Sequence, residues 1–399
     1  MDYIFSDKAK KFTFGLMGLG VLFIIFEFLF NGSGEHFGDR LWSNLLINGF
    51  FFFAIALGAL FYLALHYATE SGWGVVLKRV FEAVMSALPI GTAVLLIVFI
   101  AATFHLNHIY HWMDSALYDM DGTHFDSIID GKSSYLNTPF FWIRTLVYMA
   151  VFFLFMIGFR KRSLLEDQMG GTEIHYKNYK RGALFLVFFA VFSSTLSWDW
   201  IMSIDTHWFS TLFGWYVFAG MWVSAMVFVI LLVIYLKSKG YLEKVNESHI
   251  HDVGKWVFAL SFLWSYLWFS QFMLIWYSDI PEEVTYHMYR IDGYKVIYFG
   301  MFIINFAFPM ILLMSRDAKR SAPFLIFVGM IIFIGHWLDV YMMITPGTMF
   351  SHGHLSFFEI GMFILFLGGF IFWVLTALTK RPLMPKSHPY MEESLHHEI

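Results

Sequence analysis

Asp199 and Asp339 each lie inside a run of apolar residues long enough to cross a bilayer, and a charge there must have a reason. At the centre of a transmembrane helix a carboxylate costs about 2.5 to 3.5 kcal/mol on insertion scales. The stretch LSWDWIMSIDTHWFSTLFGW, Leu196 to Trp215, holds two aspartates, a histidine and four tryptophans amid such surroundings. Thr195, Asp199 and Ser203 are spaced i, i+4, i+8 and therefore share one helix face; His336 and Asp339, at i, i+3, share another. Glu27 falls near the end of the first apolar run, Glu359 near the start of the last, and Arg144 early in the fourth. Alternate runs cross in opposite directions, so all these groups belong to one layer near one membrane surface. The chemistry open to them is proton exchange, with Asp199, Asp339 and Glu359 as carriers, His336 as a relay and Arg144 as the partner that sets a carboxylate's charge. Glu27, Thr195 and Ser203 complete the candidate path. The competing reading is that these acids merely pair for packing, with Trp198, Trp200, Trp208 and Trp337 forming an interfacial belt.

The elements that must position them are membrane helices. With 58% hydrophobic, 21% aromatic and only 14% charged residues among 399, the composition lies far from soluble usage. Runs of about 18 or more mostly apolar residues, each able to span a hydrocarbon core, recur at 12–30, 45–67, 83–104, 140–159, 183–203, 211–236, 256–277, 295–314, 323–344 and 357–378. The expected fold is an all-α integral membrane protein of about ten transmembrane helices, a single polytopic domain over 1–399. The first run is read as a retained helix, since no small-residue cleavage site follows it.

Ten crossings put both termini on one side. All of the 26 basic residues lie on that side except Arg40, Lys132, Arg144, Arg290 and Lys295. The positive-inside rule then makes both termini cytoplasmic. The opposite connections are acidic, with Asp114, Asp119, Asp121, Asp126 and Asp130 in one and Asp279, Glu282, Glu283 and Asp292 in another. Basic residues scattered over short loops give no nucleic-acid surface. The absence of cysteine removes disulfides, thiolate catalysis, ordinary iron–sulfur ligation and covalent haem attachment. His105, His108 and His111 match no metal-site spacing and read as a polar helix end. No two histidines stand at matching depth to hold a haem, His66 being near one surface and His336 near the other. His66, Glu70, Lys78, Arg79 and Glu82 gather at the first connection on the termini side.

A weak internal repeat is visible. DWIMSI from Asp199 and DVYMMI from Asp339 agree at the Asp, the Met and the Ile. Both close outward-running spans, which fits two four-helix repeats, 45–203 and 211–344, flanked by the first and tenth helices.

Four segments carry a family likeness: FFWIRTLVY (Phe140 to Tyr148), WDWIMSIDTHWFSTLFGWYVFAG (Trp198 to Gly220), QFMLIWYSDIPEE (Gln271 to Glu283) and GHWLDVYMMITP (Gly335 to Pro346). They resemble the large membrane subunits of bacterial alternative complex III, in the NrfD-like superfamily of polysulfide reductase membrane subunits, and the compact length is more like its F subunit than its C subunit. The resemblance implies two four-helix bundles with flanking helices. It also implies a cofactor-free subunit of a quinol-oxidising respiratory complex, contributing an outward-facing proton path. Its partners would be a homologous membrane subunit, an iron–sulfur subunit and c-type cytochromes, which carry the Fe–S and haem c centres. Quinone binding by this chain itself, and a purely structural scaffold, are the alternatives.

Overall fold

The computed structural model describes every residue except Met1, Ser33, Glu35 and Ile399. The described residues form helices and short 3-10 turns without a strand. Ten spans are long and apolar enough to cross a membrane: α1 Asp7–Asn31, α2 Phe37–Ala68, α3 Val75–Thr103, α4 Thr138–Met169, α5 Glu173–Ile204, α6 Leu212–Ser238, α7 Glu247–Ser278, α8 Pro281–Leu312, α9 Ala322–His352 and α10 Phe357–Thr379. This is a multi-pass membrane protein, as the apolar runs predict. Only a helix satisfies its own backbone through a hydrocarbon layer, so each run had to become one.

Several helices overrun their apolar segments. α2 begins at Phe37 rather than 45, which puts Arg40, Ser43 and Asn44 on the helix and buries all three. α4 continues past 159 because its buried face, Phe159, Ser163 and Glu166, keeps the helical spacing after hydropathy fails. Gly170 and Gly171, at φ 64° and 74°, then turn the chain sharply into α5. α3 is broken near Ser86 and resumes at Leu88 with Pro89 in its first turn.

α2, α3, α4 and α5 close into one ring of four helices, and α6, α7, α8 and α9 into a second. The rings meet where α2 packs on α6 and α9, and α5 on α6. α2 and α6 are accordingly the interior helices: 94% and 89% of their most apolar windows is buried, against 17% for α1. Both are hydrophobic all round, the pattern of a helix enclosed by protein. α1 lies along α10 outside the rings. Their backbones touch at Gly20, where a Cβ would stand 2.6 Å from the Gly361 carbonyl, so this crossing excludes any side chain. Both termini lie at one end, with Tyr3 against Tyr241, and Asn246 donating to the His397 carbonyl at 2.7 Å.

Candidate functional site

At the end opposite the termini the buried carboxylates form three separate centres. In the first ring, Asp199 in the last turn of α5 is fully buried. Arg144 of α4 grips it in a two-pronged pair, Nε to Oδ2 and Nη2 to Oδ1, both at 2.8 Å. Tyr148, one turn along α4, donates its hydroxyl to Oδ2 at 2.9 Å. The guanidinium is held between the Tyr135 and Phe140 rings, 4.0 and 4.1 Å from their centroids. Burial, and then the neighbouring Asp199 charge, push the Tyr135 hydroxyl above its ordinary pKa. The sequence-based pairing of Arg144 with a carboxylate holds, and its partner is Asp199.

The second centre joins the flanking helices to the first ring. Arg40 of α2 donates to Glu359 of α10 at 2.8 to 3.1 Å and to Glu27 of α1 at 3.2 Å. Glu359 also accepts from Ser356 N–H at 2.9 Å in a capping box that begins α10. Beside it opens a solvent-facing hollow lined by Phe30, Asn31, His36, Arg40, His352 and His354 among others. Arg40 was legible only as a loop residue, because the apolar run starts after it.

The third centre lies in the second ring. Asp339 of α9 accepts from the Tyr216 hydroxyl of α6 through Oδ1 and from the Trp264 indole of α7 through Oδ2 at 2.8 Å. Seven carboxylates are buried among the described residues: Glu27, Glu82, Glu166, Asp199, Asp252, Asp339 and Glu359. Six meet a Lys or Arg in an ion pair; Asp339 meets none. Arg290, placed early in α8 as Arg144 is in α4, turns instead to Asp205 at 3.0 Å and to the Met342 and Met343 carbonyls. His336, 1% exposed, has Nδ1 3.9 Å from Asp339 Oδ2, and neither ring nitrogen has a hydrogen-bond partner. Asn305 sits in a π-helical turn of α8, Ile303–Ala307, close against Gly335, and both its amide atoms are buried without partners.

Thr195 and Ser203, on the face of α5 that carries Asp199, also bond the backbone: Thr195 donates to the Val191 carbonyl at 3.1 Å and Ser203 to the Asp199 carbonyl at 2.6 Å. A helix-borne hydroxyl reaches its own preceding turn more easily than a neighbour four residues away. The acids are divided among the three centres. Asp199 and Asp339 are 0% and 1% exposed, and the open hollow belongs to the Glu27, Arg40 and Glu359 centre. The residues that sequence reasoning missed are Arg40, Tyr148, Tyr216, Trp264 and Asn305. Of these Tyr148 carried a signal, as the residue one turn from Arg144, and so did Asn305, as an amide inside the eighth apolar run.

Near the termini a different cluster of ionisable groups is buried. Lys78 pairs with Glu166 at 2.7 Å, and Arg79 with Glu82 at 2.7 Å. The segment after α10 folds beneath this end and inserts His388 beside His175. Burial, then the charge of Lys78, lowers the His388 pKa to about 2, so its imidazole is neutral. No protein-family model matches the chain, and no curated protein matches it significantly.

Proposed function

We propose that the chain is a cofactor-free integral subunit of a quinol-oxidising respiratory complex of the alternative complex III kind. In this reading it resides in a bacterial cytoplasmic membrane with both termini cytoplasmic, beside a homologous membrane subunit, an iron–sulfur subunit and c-type cytochromes. It contributes a proton path from the outer face through the second ring, with Asp339 as carrier and His336 as relay.

The observation that carries this reading is the missing cation at Asp339. A carboxyl held by two neutral donors can gain or lose a proton without breaking an ion pair. Protonating Asp199 would dismantle a two-pronged Arg144 contact, and a buried guanidinium left unpaired is expensive. The unpartnered nitrogens of His336 and amide atoms of Asn305 extend the polar lining next to Asp339. Buried polar groups without protein partners are the places where ordered water resides, and water completes a proton path. The π-turn that carries Asn305 belongs to a class of distortion frequent at functional sites.

The test is Asp339→Asn in the intact complex, with the proton-to-electron ratio measured in vesicles during quinol oxidation. A fall in that ratio with assembly preserved is expected. An unchanged ratio and rate would refute the role of Asp339.

A further inference from the structure

We infer that the end carrying the termini holds a divalent metal site of the zinc class, made by Glu166, His175 and His388. One donor atom from each lies within 4.8 Å of the other two, and all three residues are buried. They come from three segments: the last turn of α4, the first turn of α5 and the chain beyond α10. The Gly170–Gly171 turn, open only to residues that tolerate positive φ, folds Glu166 back toward His175.

The donors are left in the state a metal requires. Glu166 Oε2 is taken by Lys78, but Oε1 is buried with no partner. His175 Nε2 faces Glu70 Oε1 at 3.4 Å, and its Nδ1 is buried with no partner. A carboxylate on one imidazole nitrogen fixes the tautomer and leaves the other lone pair for an ion, the usual outer-shell arrangement of a metal-bound histidine. Glu70 is fixed in turn by the Tyr390 hydroxyl at 3.2 Å. His388 Nδ1 accepts from Tyr390 N–H at 3.2 Å, the single long bond that an ion taking that nitrogen displaces. Zinc binds imidazole nitrogen and carboxylate oxygen at about 2.0 to 2.2 Å, so each donor moves inward by less than about 1 Å. Two imidazoles and one carboxylate, with room for a fourth ligand in the adjoining cleft lined by His66 and Ser71, is a donor set that zinc accepts.

The site would fasten the C-terminal segment to the α4–α5 turn. Lys78 opposes it, since an ammonium on the second Glu166 oxygen repels the ion. That opposition separates metal binding from a purely structural role for the same residues.

The experiment titrates zinc into the tag-free full chain in detergent micelles against a chromophoric chelator, with stoichiometry from elemental analysis and folding checked by circular dichroism. One zinc per chain is expected. His175→Ala and His388→Ala should each weaken binding at least 10-fold, and Glu70→Gln about 10-fold, as loss of an outer-shell partner does. Lys78→Met should tighten binding and make the thermal midpoint zinc-dependent, because Glu166 then relies on the ion for its compensating charge. Failure of the unaltered chain to take up one zinc would overturn the assignment. So would unchanged binding in both histidine variants, or loss of binding in His396→Asn/His397→Asn, which alters only the chain's last histidines.

Discussion

Asp199 of α5 and Asp339 of α9 lie on corresponding helices of the two rings, yet one is clamped by a guanidinium and the other is held only by a phenol and an indole. The local sequences share a few residues at matching positions. In α4 an arginine is followed one turn later by tyrosine, Arg144 and Tyr148, and α8 repeats the pair as Arg290 and Tyr294. The first pair converges on Asp199. In the second, Arg290 goes to Asp205 and Tyr294 to the Phe350 carbonyl. α8 is also kinked at Tyr294, where φ is −134° and ψ 23°, whereas α4 is continuous. The same residue types thus build a locked ion pair in one ring and an uncompensated carboxyl in the other. A locked pair serves stability; an uncompensated one can exchange protons.

Removing the clamp should have the largest effect. Arg144→Met leaves the Asp199 charge buried and unpaired and should destabilise the chain by about 3 to 5 kcal/mol, read as a drop in thermal midpoint in micelles. Adding Asp199→Leu to it should restore most of that loss, since apolar side chains replace buried ion pairs at little net penalty. If the single variant were as stable as the parent, the contrast between the rings would fail. Asp339→Asn should cost only about 1 kcal/mol, because neutral donors remain within reach of the amide, while the proton-to-electron ratio falls.

A finer test exchanges the phenols. Tyr216→Phe and Tyr148→Phe each remove one hydrogen bond worth about 1 kcal/mol. Only the first should shift the pH profile of turnover if Asp339 is the exchanging carboxyl, as proposed; equal profiles would place both carboxylates in the same role. The smallest effect concerns the loop between α3 and α4. Burial opposes ionisation of Asp126, but the Ile129 N–H and then His207 hold its pKa below the ordinary carboxylate value. A depressed carboxylate stabilises the fold above its unfolded pKa, about 3.9, and loses that contribution as pH falls through the folded value. Protection of the Ile128 and Ile129 amides relative to their intrinsic exchange rates, which Asp126 supplies by accepting both N–H groups, should therefore fall below about pH 4. Asp126→Asn should remove that dependence.

The acids stood out in the sequence because a carboxylate amid phenylalanine and leucine has no other reason to be there, and Arg144 stood out as their nearest cation. Arg40 did not, since hydropathy assigned it to a connection and only the longer helix delivers it to Glu27 and Glu359. Tyr216 and Trp264 were lost among many aromatic residues, for nothing in an apolar helix marks which ring carries its polar atom to a partner.

By itself the sequence determined the helix count, the all-α class and the grouping of acids toward one surface, since solvation energy in a bilayer acts on every residue without regard to its neighbours in space. Which carboxylate would receive a cation was settled by the tertiary structure alone. Arg144 and Arg290 are chemically alike, and packing against helices distant in the chain brings one to the buried aspartate and the other to Asp205 and two backbone carbonyls.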